Sequence, residues 1–298
     1  MIQRGAAFPG RFIGSLIFVA AAAGAFAQDG AWPSRPIRIF TPTAAGGNMD
    51  ILTRALAKSP ADGYTLLFSH SALLQNVLLQ PNPPYKLADI QPVSLVALFP
   101  IAYGVNTQLG VQSLAELIAL AKSKPRTLSF GSYGTGSGGH VIGAALNRAA
   151  GIDLTHVAYK GEAPAVTDMM AGVVSSAYGS VGYMARQIGS GKVRLLAVAS
   201  TSRLKAFPDV PTFAEAGFPA LNLPGWGGLF VPAGTPPAVV AKIHAEVAKA
   251  VALPDVADKI ATMGFVPVGS SPDSFAASIK AEVEKWDVAI RENQIRLE

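Results

Sequence analysis

The chain holds 298 residues, half of them hydrophobic, with no cysteine and a formal net charge of +5. Zero cysteine excludes disulfide scaffolds, cysteine nucleophiles and thiolate metal sites. Charged residues make up only 14% of a strongly apolar chain, which excludes bulk disorder. No Lys/Arg run exceeds two residues, so a nucleic-acid-binding stripe has no location and no nucleic-acid partner is expected.

The N-terminus reads as a leader. Arg4 and Arg11 supply a basic start, 12–26 is uncharged, and Ala25-Phe26-Ala27 gives the small-x-small pattern that signal peptidase cuts. Those fifteen uncharged residues, at 1.5 Å each, fall short of a ~30 Å hydrocarbon core. Residues 1–27 are therefore expected to be a signal peptide, with a mature chain of 271 residues from Gln28 and a net charge near +3. Export without cysteine suits a bacterial periplasm.

Beyond the leader, strand-like and helix-like stretches alternate. A strand over 37–41 leads through Gly46-Gly47 to a helix over 49–58. Asp62-Gly63 turns into a strand over 64–69, and a long extended stretch over 93–105 is broken by Pro100. Ser113 and Glu116 form a capping box, and Leu114, Leu117, Ile118 and Ala121 give the helix it opens an apolar stripe before Pro125. A strand over 127–130, a Gly-rich loop and a helix over 138–150 follow, then strands over 155–159, 173–178 and 193–199. Thr235-Pro236-Pro237 and Ser271-Pro272 open two last helices, the second striped by Phe275, Ile279, Val283 and Trp286. Such alternation predicts α/β architecture with parallel sheets covered by helices on both faces.

The most chemically loaded stretch is Gly131-Ser-Tyr-Gly-Thr-Gly-Ser-Gly-Gly-His140, between a strand and a helix. Its glycines permit close backbone approach, and free amides at the helix start favour an anion. Pro42-Thr-Ala-Ala-Gly-Gly-Asn48 is a second turn of this kind. Two such turns on separate sheets are a cradle for one small acidic molecule. Gly134, Gly136 and Gly139 also spell G-x-G-x-x-G, so a nucleotide-dependent oxidoreductase stands as an alternative. That reading lacks an acidic residue at the end of the next strand, since Asp153 precedes it and Glu162 comes too late.

Other chemistry is thin. Histidines 70, 140, 156 and 244 show no metal-ligand spacing, no G-x-S-x-G elbow is present, and no cofactor is implied. His156 reads as a core-edge histidine, Asp50 as a first-turn dipole partner, Trp226 and Trp286 as packing residues, and Lys160 as solvated.

Nine stretches in register resemble the tripartite tricarboxylate transporter receptors, the Bug-type periplasmic solute-binding proteins. They include Trp32-Pro-Ser-Arg-Pro-Ile-Arg38, Ala61-Asp-Gly-Tyr-Thr-Leu-Leu67, the Gly131 to His140 loop and His156-Val-Ala-Tyr-Lys-Gly161. Phe207-Pro-Asp-Val-Pro-Thr-Phe-Ala-Glu-Ala-Gly217 and Val231-Pro-Ala-Gly-Thr-Pro236 continue the series. The resemblance implies a periplasmic binding protein of type II, a monomeric, non-enzymatic Venus flytrap of two Rossmann-like domains. It implies a first domain over 28–103 plus 226–298, a second over 104–225, and crossovers near Tyr103 and Trp226. A small carboxylate in the cleft would be delivered to the membrane subunits of a transporter. Carried over by position, the first wall of the site is Thr43, Ala44, Gly46, Gly47, Asp50 and Ser69. The second is Ser132, Thr135, Gly136, Ser137, His140, Tyr159, Gly161 and Gly179.

The sequence departs from that family pattern. Thr43 replaces a usual aromatic residue, and Gly179-Ser180 replaces a polar or acidic pair. Ala57 runs straight into Lys58-Ser-Pro-Ala-Asp62, where the family carries about thirty more residues, one strand-and-helix unit in size. Its loss would leave the first strand on an open sheet edge. A trimmed receptor with altered ligand choice is the functional reading; a decayed or non-transport sensory paralogue is the other.

Overall fold

The structure, a computed structural model, describes residues 32–41, 48–293 and 295. The expected signal peptide and Thr43, Ala44, Gly46 and Gly47 lie outside those residues.

The described chain builds two mixed five-stranded sheets. In the first, β1 (Arg38–Phe40) pairs parallel with β2 (Thr65–His70). β9 (Gly225–Pro232) then runs antiparallel between β2 and β3 (Ile90–Phe99), and β10 (Val266–Pro267) closes the far edge. In the second, β5 (Ser129–Ser132) lies parallel between β6 (Thr155–Ala158) and β7 (Ser176–Ser180). β4 (Ile101–Asn106) pairs antiparallel with both β7 and β8 (Val193–Ala199).

The expectation of parallel sheets is thus corrected. Three pairings are parallel, and every pairing of β3, β4 and β9 is antiparallel. The chain leaves the first sheet along β3 and enters the second along β4, with Pro100 between them. Proline has no amide to donate to a ladder and so breaks the long extended run there. The return, along β9, brings a strand into the middle of the first sheet against the direction of β2. The strand expected over 173–178 is shifted to Ser176–Ser180, with Val173 exposed before it.

Helices cover both faces of the second sheet. Tyr103, Phe130, Tyr178 and Leu196 share one core with Leu117 of α3 (Leu114–Ser123) and Leu146 of α4 (Gly138–Ala150). Ala102, Ala177 and Leu195 point to the opposite core, beneath α5 (Glu162–Ala171) and α6 (Val181–Ile188). This alternation along the strands is the period-two signature of a doubly covered sheet. The first sheet packs Leu67, Trp226 and Phe230 against α1 (Asn48–Ala57), α2 (Ala72–Leu79) and the start of α9 (Pro272–Glu292).

The long α9 joins the two halves. Phe275 near its start is fully buried in the first core, while Trp286 and Ile290 near its end are buried in the second. Burial of each such side chain is worth about 1.5–3 kcal/mol. Among the described residues β1 pairs with β2 alone and forms the outer edge of the first sheet, as expected for a chain that lacks a unit after Ala57. Ile39 on β1 and Ile51 on α1 are both more than half exposed there.

Candidate functional site

Residues from both sheets line a cavity of about 600 Å³. The first half contributes Asp50 of α1, part of the stretch from His70 to Gln80, Phe99 and Gly225. The second contributes Ile101, the turn from Tyr133 to Gly138, Gly161, Glu162 and Ser180.

The turn after β5 is fixed by its own hydrogen bonds. The Ser132 hydroxyl accepts from Gly134 N at 3.3 Å, reaches Gly134 O at 3.1 Å and meets His156 Nε2 at 2.8 Å. Gly136 lies at φ +74°, in the left-handed region, where a side chain would strain the turn. Its amide donates to His140 Nδ1 at 3.0 Å, so that nitrogen carries the lone pair. Ser137 caps α4 by accepting from His140 N. Gly139 N donates to the Tyr133 hydroxyl at 3.1 Å, which leaves the phenol proton to give. Among the described residues, the amides of Thr135 and Gly138 have no acceptor, and both residues line the cavity.

His140 stacks on His156, with ring centroids 3.8 Å apart and planes 6° from parallel. Burial lowers the pKa of His140, and burial plus the neighbouring His140 lowers that of His156 to about 4. Burial likewise lowers His70. The three imidazoles are neutral at neutral pH, so none brings a positive charge to the cavity.

The opposite wall is α2. Ser71 N donates to Trp226 O at 3.1 Å, which ties the start of this helix to β9. The amide of Ala72, the next residue, has no acceptor among the described residues. Asp50 is held from α2 and beyond: Oδ1 accepts from Asn76 at 3.1 Å and Tyr85 at 3.3 Å, and Oδ2 from Gln80 at 2.8 Å. It does sit in the first turn of α1, as expected, but three neutral donors also fix it on the cavity wall. The Tyr85 phenol is raised by burial and by that carboxylate. Glu162 opens α5 and takes Ser180 N at 2.6 Å and the Ser180 hydroxyl at 3.0 Å.

Asp50, Thr135, Gly136, Ser137 and Gly161, all expected in the site, are brought together on the cavity lining. Ser69, Ser132, His140, Tyr159 and Gly179 stand outside it. Ser69 is fully buried on β2, Ser132 and His140 brace the turn, and Gly179 lies beside Glu162. Tyr159 donates to Asp168 at 2.8 Å, and burial together with that carboxylate raises its phenol to about 12. His70, Gln75, Asn76, Gln80, Tyr133 and Glu162 line the cavity without having been expected there. A signal for part of this set was present. Gln75 and Asn76 interrupt the otherwise apolar run from Ala72 to Leu79 and Gln80 ends it, and such polar breaks mark a face turned to something other than core.

Among the described residues no group of three or more metal-ligating side chains gathers, and no helix is long and apolar enough to cross a membrane. Asp153, the carboxylate nearest in sequence to a ribose-binding position, forms an exposed ion pair with Arg126 at 2.8 Å.

Two sheets, a double crossing between them and a cavity at the crossing with polar groups on both walls define a cleft-type solute-binding protein of the α/β class. The chain belongs to the tripartite tricarboxylate transporter family receptors, whose family model matches residues 34–295. It is 32% identical to the protein BugT of Bordetella pertussis, over 96% of this chain and 97% of BugT. That alignment runs over 317 positions, more than the 298 residues here, so stretches of BugT have no counterpart in this chain. A solved structure described as a periplasmic transporter is 32% identical, with 90% of this chain and 100% of that one covered and a TM-score of 0.76. Rpa4515 of R. palustris, solved with adipate, is 28% identical, covers 89% and 99% of the two chains and has a TM-score of 0.75.

Proposed function

We propose that this protein is a periplasmic receptor that captures a small carboxylate in the cavity between its sheets and delivers it to the membrane subunits of a tripartite transporter. The observation that carries the reading is the placement of open amides on facing walls: Thr135 and Gly138 on the second half, Ala72 on the first. A carboxylate accepts several such bonds, and helix starts favour negative charge by about 0.3–1 kcal/mol each, up to ~2 where partly buried. Micromolar capture requires about 8 kcal/mol, so several contacts inside a closed cleft must act together. The solved relative with adipate supports the ligand class.

In this reading the domains are 28–103 plus 226–298 and 104–225, joined by crossovers near Tyr103 and Trp226. The leader is cut after Ala27, and Thr43, Ala44, Gly46 and Gly47 take part in binding. The protein acts by binding and release, as a monomer. Isothermal calorimetry with mono-, di- and tricarboxylates tests the capture step: saturable binding is expected, and no saturable heat from any of them overturns it. Mass spectrometry of the exported protein tests the leader, with a new N-terminus at Gln28 expected and an intact Met1 contradicting it.

A further inference from the structure

Five helix starts converge on the cavity. α1 reaches it through Asp50, α2 through Ser71 and Ala72, α4 through Ser137 and Gly138, α5 through Gly161 and Glu162, and α6 through its cap Ser180. Each helix start carries about half a positive charge. Three of the five are already answered from within the protein. Asp50 lies in the first turn of α1, Glu162 in the first turn of α5, and Glu162 also takes the amide and hydroxyl of Ser180 at the start of α6. Two have neither an acidic residue in the first turn nor a carboxylate on the cap, α2 and α4, and there the amides of Ala72, Thr135 and Gly138 have no acceptor among the described residues. Together they offer roughly one positive charge, enough for one carboxylate.

Nothing else on the lining is cationic. It contains no lysine or arginine among the described residues. His70 is neutral through burial. Two carboxylates stand on the same lining, Asp50 from the first half and Glu162 from the second. A carboxylate has about four acceptor positions and no donor. Asp50 uses three of its positions on Asn76, Tyr85 and Gln80, and Glu162 uses two on Ser180. What these two carboxylates leave open accepts hydrogen bonds and carries negative charge. A second ligand carboxylate would be repelled there and could donate nothing.

We infer that the cavity selects a monocarboxylate whose other end bears an N–H donor, an amine or an amide, over a dicarboxylate of the same length. The inference rests on the receptor reading above and narrows its ligand class. It is tested by calorimetry on the purified protein with two matched series: 6-aminohexanoate, adipamate, adipate and hexanoate, and their four-carbon counterparts 4-aminobutanoate, succinamate, succinate and butanoate. At whichever length binds, the amino or amido acid is expected to bind at least tenfold tighter than the diacid and the plain acid. The amine and amide arms separate a cationic donor from a neutral one. Asp50→Asn and Glu162→Gln, each of which removes a negative charge, are expected to narrow the preference over the diacid about tenfold. A diacid that binds as tightly as its amino and amido partners overturns the inference and leaves the receptor reading intact. Binding of other carboxylates with none from either series also overturns it. Absence of binding by every carboxylate tried overturns both.

Discussion

Trp226 on β9 donates its indole N–H to Glu282 of α9 at 2.6 Å, and this bond sits where the two halves of the molecule share a helix. Trp226 belongs to the core of the first sheet, and Trp286, one turn beyond Glu282, is fully buried in the core of the second. The carboxylate is thus enclosed at the joint. Burial raises its pKa to about 7, against the lowering effects of the Trp226 bond and Lys285.

A raised pKa means that the folded state holds a proton which the unfolded chain has released between about pH 4.5 and 7. Stability from this group is therefore greatest in acid and declines as pH rises through that window, by about 3 kcal/mol in all. Glu282→Gln keeps an oxygen acceptor for Trp226 and removes the ionisation. Urea denaturation at pH 8 is expected to show the variant more stable by about 1–3 kcal/mol, with the two proteins nearly equal at pH 5. A variant less stable at pH 8 would mean that the charge itself is needed at the joint.

The His140–His156 stack has the opposite sign. Both imidazoles are lowered, His156 to about 4, so the unfolded chain takes up protons first as pH falls. Their contribution is complete above about pH 6.5 and is lost as pH falls toward 4. Protonation of His140 Nδ1 also removes the acceptor of the Gly136 amide. Unfolding and ligand titrations at pH 7.5 and 5 are expected to show both lower stability and weaker binding in acid, with His156→Gln flattening the stability change. A wild-type stability that stays level across this range would contradict the neutral stack.

Gly228 on β9 faces Phe275, and a Cβ at Gly228 would lie 2.3 Å from that ring. Gly228→Ala must move the Phe275 ring in the middle of the first core, at a cost of about 1–3 kcal/mol. Thermal denaturation is expected to show a drop of several degrees. An unchanged midpoint would show that the ring has room to move.

Gly182 on α6 abuts the turn at Met263 and Gly264, where an added Cβ would meet Met263 O at 2.0 Å. That turn follows α8 (Pro254–Thr262) and leads into β10 of the first sheet, so the contact bridges the two halves. Since the neighbour is backbone, Gly182→Ala is expected to hold α6 and this turn apart, raising the radius of gyration and weakening ligand binding several-fold. Small-angle scattering that matches wild type would count against this contact as part of the closed form.

The glycines of β9 also show why part of the fold was hidden in the sequence. Gly-Trp-Gly-Gly reads as loop, since glycine is depleted in strands. In the folded chain Gly227 and Gly228 make room for the rings of Phe99, Phe68 and Phe275, a demand set by distant partners that no local pattern reveals. β9 has no local signature for that reason, and the antiparallel character of the first sheet is hidden with it. Helix starts fared better: Ser113 and Ser271 act as caps as their spacing implied. The turn from Tyr133 to Gly138 was legible because its glycines and hydroxyls fall between one strand and one helix. Glu162 carries no local mark of a site, since its place on the cavity depends on β7 bringing Ser180 beside it. The short connection after Ala57 was visible directly, and β1 accordingly stands on the sheet edge.

The most direct test is calorimetric titration of wild type beside Thr135→Trp, which sets a large ring on the cavity lining at an exposed turn residue. Wild type is expected to bind a small carboxylate with micromolar affinity, and the variant to lose at least tenfold of it with an unchanged melting temperature. Equal affinity in the two proteins, or no saturable carboxylate binding in a wild type that melts cooperatively, would contradict capture in this cavity.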